Sequence, residues 1–366
     1  MSEAHSQRYH GLDALRAFAM LLGLVLHATS VYLRDDFMAV FAPGVAAIPA
    51  EASPLTAMTA IWIHLWRMPT FFVLAGFFAQ MGLEKRGIWA FAQDRFVRVF
   101  VTMLLAMWVF SLIRPYSFGV LAHLWFLWVL ALLCVLAPVL RYVTSAWLFE
   151  QPVRLVLLLG PLMALGVWNR DNIWQNAPNT LWDPELSAFA MFGLFFWIGQ
   201  CLWTGRQSLS TFRKVPVWLT LIGIGLALHA ALGIWYFAPW SPWLRQALVA
   251  AASLSFVFGF IGLMEWLLRT PSQVLRWAIE VSYFTYIAHL FIVYEASIWM
   301  VTQGWDQHVA VPAAAAFGLI VCVALYVIFV RYTPLNWLLA GYKKSWFGQP
   351  FRRNGWGVGP SWEERL

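Results

Sequence analysis

Charge is what this sequence has least of. Asp, Glu, Lys and Arg together make 11% of its 366 residues, where a soluble domain carries about 25%. The hydrophobic share is 61%, which excludes an ordinary water-soluble domain and points to a membrane protein. Cysteine is equally sparse. Cys134, Cys201 and Cys322 all fall in apolar runs and make neither a CxxC pair nor a metal spacing. They read as small packing residues and imply no disulfide framework. The chain also lacks a repeat of fixed period and an inverted repeat, which weighs against a typical secondary transporter.

What the chain has instead is long apolar runs. Spans of roughly 20 residues are read at 12–33, 55–82, 96–113, 121–140, 153–168, 186–204, 215–237, 244–268, 281–302 and 309–331. The expected fold is an all-α, polytopic transmembrane bundle of ten spans, residues 1–340 forming a single membrane-embedded domain. An even count puts both termini on one side. Of the 24 Lys and Arg, only Arg34, Arg114, Arg170 and Arg245 fall in outer loops. Arg16 and Arg67 lie within spans, and all the others lie on the side of the termini. That bias makes both termini cytoplasmic and accounts for the net charge of +7 without nucleic acid. The first span is longer than a leader's apolar core and is interrupted by Asp13, Arg16 and His27, so it is expected to remain as a membrane helix.

The outer connections 34–54 and 169–185 are rich in Pro, Gly, Asn or Asp and read as loops, either surface connections or lids over a cavity. Residues 341–366 form a basic tail expected at the cytoplasmic surface. Most of the 24 Trp suit an interfacial belt, among them Trp235, Trp240 and Trp243.

The informative residues are the ionisable ones inside the spans, because each is costly there and is a functional candidate by default. Arg16 and His27 are eleven positions apart, within about 20° of one helix face and about 16 Å apart along its axis. His27 then sits in the outer half. His64, about 13 Å below the outer end of the second span, lies at a similar depth and shares a face with Arg67, three positions on. His123 opens the fourth span. His289 lies mid-way along the ninth, on one stripe with Tyr283 and Tyr286, and Glu295 follows nearer the outer end. Any one of these histidines, His123 or His229 above all, could simply hydrogen-bond a neighbouring helix. Five ionisable groups at similar depth on different helices are better read as lining one cavity. No carboxylate stands at ligand spacing beside them, so a metal site is not expected. On the inner side Arg95 and Arg98 share one helical face. They suit a phosphate group, or they are ordinary positive-inside anchors.

Taken together, these segments resemble the acyltransferase-3 family of integral-membrane acyl-transfer proteins. Leu12-Asp13-Ala14-Leu15-Arg16 followed by His27 is similar to that family's LDxLR opening and Arg-x10-His motif. Phe71 to Phe78 resembles its FFxxSGF motif, with Ala75 where the family has serine, so close helix packing through Ala75-Gly76 is the expected role there. Arg95-Phe-Val-Arg98, His123-Leu-Trp-Phe-Leu and Ser282-Tyr-Phe-Thr-Tyr286-Ile-Ala-His289 resemble three further motifs in order. The likeness runs from about Leu12 to Arg331. The context around His64 and Arg67 looks most like the branch that succinylates osmoregulated periplasmic glucans.

The resemblance implies a multi-pass protein of the bacterial inner membrane. It would move an acyl group, succinyl or acetyl, from cytoplasmic acyl-CoA to hydroxyls of a periplasmic glucan or another envelope glycan. Acyl-CoA would be a co-substrate, no cofactor would be permanently bound, and proteins of glucan synthesis are expected partners beside the lipid bilayer. Arg16, Arg95 and Arg98 would hold the donor. His27 would be the general base, with an acyl-histidine as the covalent variant. Arg67 and His64 would stabilise the oxyanion or bind a succinyl carboxylate, while His123, Tyr286 and His289 would support base or acceptor. Asp13 would fix Arg16 by an ion pair. The competing reading is a transporter or flippase for an anionic glycan or lipid, using the same buried groups as its path.

Overall fold

A computed structural model describes residues 9–33, 51–113, 118–169, 178–182, 185–234, 241–270 and 272–340. Much of the two long outer connections, Trp235, Trp240 and the basic tail 341–366 lie outside the described residues. The principal helices are α1 (His10–Leu33), α2 (Pro54–Arg95), α3 (Thr102–Ile113), α4 (Trp125–Leu140) and α5 (Leu159–Asn169). They continue with α6 (Leu186–Thr204), α7 (Val215–Ile234), α8 (Pro242–Leu267), α9 (Gln273–Thr302) and α10 (Gln307–Leu325). Among the described residues there is no strand, only an isolated antiparallel bridge between Val120 and Thr180.

The helix starts are written locally. Ser53, Ser241 and Ser272 each cap a helix by accepting from the N–H three residues on, and Pro54 and Pro242 occupy first-turn positions that need no N–H. Asp306 accepts from His308 N–H at the start of α10.

Among the described residues nine stretches are long and apolar enough to cross a membrane. One of them, Pro54–Ile113, is 60 residues long, about three bilayer cores if straight. It is not straight, because Gly87 has φ 79° and ψ 170°. Past it the chain doubles back: Arg86 reaches Asp94 at 3.6 Å, and a Cβ on Gly82 would lie 3.2 Å from the Phe91 ring. In an unbroken helix Gly82 and Phe91 would be about 13 Å apart. Gly87 is thus the corner of a hairpin, the stretch makes two legs, and the bundle has the ten passes read from hydropathy. The left-handed φ at the corner is what glycine supplies at no steric cost.

Some boundaries differ from the apolar windows. α9 starts at Gln273, well before the apolar run at 281, because a helix continues past the hydrocarbon once its backbone bonds are formed. The fifth span opens as a 3-10 stretch, Pro152–Leu158, before α5. Wide π turns occupy Phe96–Val101 and Tyr326–Val330, and hydropathy carries no information about such changes of hydrogen-bond register.

α1 is central: it packs on α2, α8, α9 and α10. α2 packs on α1, α4, α6 and α8, whereas α7 leans mainly on α8. The α2–α6 contact rests on a pair of glycines. A Cβ on Gly76 would fall 1.8 Å from Phe196 O, and one on Gly199 would fall 1.9 Å from Val73 O. The two backbones touch, as small residues permit in membrane bundles, and Gly76 of the Ala75-Gly76 pair therefore has the packing role expected of it. Gly199→Ala must push the helices apart, and we expect a loss of about 1–3 kcal/mol, read as a lower melting temperature in detergent. Gly160→Ala, where a Cβ meets nothing within 4 Å, should cause no loss.

Candidate active site

α1, α2 and α9, with the turn before α4, bring one cluster of nitrogens together in the bundle. The rings of His27, His123 and His289 form a triangle, with centroids 5.1 Å apart for His27–His289, 5.3 Å for His123–His289 and 6.2 Å for His27–His123. His289 is fully buried and His123 nearly so, while His27 is half-buried.

Hydrogen-bond partners assign the tautomers of the two buried rings. His123 Nε2 faces the carbonyls of Ile287 (2.9 Å) and Tyr286 (3.1 Å), so Nε2–H donates. Its Nδ1 is then the bare nitrogen, and it is buried without a partner. His289 Nδ1 faces the carbonyls of Tyr286 (2.7 Å) and Thr285 (2.9 Å), so Nδ1–H donates and Nε2 is bare, buried and unpartnered. Tyr286 completes a reciprocal clasp by donating its hydroxyl to His123 O at 2.6 Å. His123 and Tyr286 therefore lock the turn before α4 to α9. The clasp also bends the backbone, since Ala122 holds φ 49°, a conformation costly for a residue with a Cβ and held only where surrounding structure imposes it. The Val120–Thr180 bridge anchors the other side of this turn.

Arg67 stands beneath the imidazoles. It is 4% exposed, and its Nε–H donates to Ala19 O at 2.9 Å, tying α2 to α1. Its guanidinium lies over Phe71 at 5.4 Å. Gly23 makes room for it: a Cβ there would lie 2.5 Å from Arg67 Nη2 and 3.2 Å from His289 Nε2. Among the described residues Arg67 has no carboxylate partner, although burying an uncompensated charge costs several kcal/mol. The chargeable groups acting on His27 are His289, Arg67, His123 and His64, again with no carboxylate among them. His64 stays outside the ring triangle, one turn from Arg67 on α2, with Nδ1 buried and unpartnered. Among the described residues no group is placed to hold a metal ion.

The remaining candidates sit toward the inner end. Arg16 pairs with Asp13 at 3.2 Å, as expected, and lies over the Phe78 ring. Arg95 and Arg98 flank Asp94, at 3.0 and 3.1 Å, and Arg86 joins them. This hub touches the histidine stripe through Tyr283, whose hydroxyl donates to Arg98 O at 2.5 Å. Tyr283, Tyr286 and His289 then lead outward along α9 in steps of about 4.5 Å. Glu295 is exposed on α9, and His229 lies on the peripheral α7, so neither belongs to the cluster.

Three residues escaped the sequence reading. Tyr294 lies 3.2 Å from His27 Nδ1 through its hydroxyl; a tyrosine near a helix end reads as an interfacial residue. Asp94 had a usable signal, its i,i+4 spacing from Arg98. Gly23 carried none.

A polytopic helical bundle with a ring of imidazoles around a buried guanidinium defines a membrane protein whose interior is built for chemistry or for passage. Residues 9–327 match the acyltransferase-3 family, described as an acyltransferase domain. The chain belongs to that family. Curated relatives are the glucans biosynthesis protein C of Escherichia coli strain K12 and of E. coli O1:K1. Each is 27% identical over 198 residues, which is 53% of this chain and 46% of the relative. The chain thus spans about half the length of the curated relatives it matches. No solved structure matches it.

Gly23→Ala tests the geometry. The nearest atoms to the new methyl are the movable end of Arg67 and His289 Nε2, with no backbone among them, so the fold should persist. A shift of about 1 Å at a reacting group can cost about 100-fold in rate. We expect acyl transfer to fall by at least about tenfold, with an unchanged melting temperature in detergent.

Proposed function

We propose that the protein transfers an acyl group from a cytoplasmic acyl-CoA, through the bundle, to a hydroxyl of a periplasmic glucan or related envelope glycan in the bacterial inner membrane. The observation that carries this reading is the buried Arg67, which has no carboxylate partner among the described residues and whose Nη2, like His289 Nε2, borders Gly23 one turn of α1 below His27. A buried positive charge of that kind suits the negative charge that develops on a thioester carbonyl oxygen.

The chemistry follows from the atoms. The His27 tautomer with Nδ1–H donating to Tyr294 Oη leaves Nε2 bare. That nitrogen takes the proton of the acceptor hydroxyl while the oxygen attacks the thioester carbonyl. Arg67, with His64 nearby, stabilises the tetrahedral oxyanion. Collapse breaks the C–S bond, the thiolate takes the proton back from His27, and ester and free thiol leave on opposite sides. Tyr294 positions the base. His289 and His123 offer bare nitrogens to the acceptor or the acyl group, and His123 and Tyr286 also hold the wall together.

The donor's phosphates fit the inner mouth at Arg95 and Arg98, where three guanidiniums share one carboxylate and leave net positive charge. From there the Tyr283–Tyr286–His289 stripe leads to the imidazoles. Arg16, about 16 Å below His27 along α1, suits the same path. Succinyl is the preferred acyl group, because its own carboxylate would find Arg67 or His64. The names of the relatives support a glucan acceptor, and proteins of glucan synthesis are the matching partners.

His27→Ala should abolish transfer while leaving a folded, membrane-inserted protein. Membranes given labelled acyl-CoA and assayed for label on glycan read this directly, and near-normal turnover would sink the role of base. Arg95→Ala with Arg98→Ala should raise the apparent KM for donor by about tenfold or more and leave that for acceptor unchanged. Equal loss for both would return the pair to a topogenic role.

A further inference from the structure

The inner end of the bundle holds a second cationic feature, built at the foot of α1. There the first turn of α1 docks on the last turn of α8: a Cβ on Gly11 would lie 2.7 Å from Glu265 N, and Leu12 N–H donates to Glu265 Oε1 at 3.2 Å. Beside this junction opens a cleft of about 640 Å³. Arg206, Arg213 and Arg269 face it from two separate segments, the chain between α6 and α7 and the exit of α8, together with Tyr9 and Ser210.

The charges in the cleft do not cancel. One carboxylate, Glu265, stands against the three guanidiniums, and it also accepts from the first turn of α1, satisfying one of the N–H groups that a first helical turn leaves without a partner. Arg206 donates to Trp203 O at 3.2 Å and lies over the Trp203 ring at 4.6 Å, contacts that neutralise nothing. The side chains of Arg213 and Arg269 are exposed and make no hydrogen bond or close ion pair among the described residues, and Arg213 acts on Glu265 only through space. The α1 N-terminus adds its own partial positive charge. Topogenic arginines need only stand on the inner side. Here three of them turn toward one concave space with hydroxyl donors, and the space is larger than a bare anion.

We propose that this cleft binds a phosphate ester, in which the guanidinium forks take the phosphate oxygens and the remaining volume takes the attached organic group. The phosphate comes from the headgroup of an anionic phospholipid or from a soluble organic phosphate. The cleft uses none of the residues assigned to acyl transfer, so the inference stands apart from that reading.

The test uses the full chain in nanodiscs. In one arm, native mass spectrometry counts phosphatidylglycerol retained from mixed phosphatidylglycerol–phosphatidylcholine discs. In the other, calorimetry follows pyrophosphate binding in phosphatidylcholine discs. Each arm compares the wild type with Arg213→Gln/Arg269→Gln, with Arg213→Lys/Arg269→Lys, and with Arg141→Gln, which lies outside the cleft. We expect the Gln pair to bind at least one probe about tenfold more weakly, equivalent to about 1.4 kcal/mol. The Lys pair should fall between, because it keeps charge and loses the fork, and Arg141→Gln should match the wild type. Retention of lipid alone identifies a headgroup, and pyrophosphate binding identifies a soluble phosphate. Equal binding by the wild type and the Gln pair in both arms overturns the proposal.

Discussion

A guanidinium buried in the middle of a helical bundle sets the terms for everything around it. Arg67 reaches across from α2 to a backbone carbonyl of α1, at Ala19, and that single donated hydrogen bond fixes the relative height of the two helices. A side chain on the facing helix would displace the guanidinium, since a Cβ there would lie 2.5 Å from Arg67 Nη2, and glycine stands at Gly23. Its neighbour on α9, His289, has its own N–H committed to its helix and presents only a lone pair. Each of these choices follows from keeping a positive charge buried in the bundle.

The same accounting explains why the three rings are not interchangeable. The donor nitrogens of His123 and His289 are fastened to carbonyls of α9, which holds those rings still and determines which edge each turns inward. His27 alone engages a hydroxyl, at Tyr294, a group that can donate or accept. It is also the half-buried member of the set. The imidazole with the most freedom over its proton is therefore also the least buried of the three.

Much of this was legible in the chain itself, for definite reasons. Apolar runs separated by loop residues mark membrane legs without ambiguity, because the hydrocarbon thickness fixes their length. Ionisable residues inside such runs are conspicuous because they are expensive, so His27, Arg67 and His289 announced themselves. Hidden features were those whose cost is only apparent in three dimensions. Gly23 looks like any small residue in a helix. Tyr294 is disguised by the tyrosines that membrane interfaces favour. Asp94 sits in a basic stretch where an acid draws no notice, yet it gathers three guanidiniums. Nor does hydropathy see where a helix outlasts its membrane leg, as α9 does.

Asp94 makes the inner mouth an exchange site rather than an open trap. An anion arriving there meets Arg86, Arg95 and Arg98 already in contact with a carboxylate. Its affinity is then a difference between two sets of ion pairs, smaller than three cations alone would suggest and readily eroded by added salt. A mouth of that kind lets go as easily as it takes hold, as the donor site proposed there would have to.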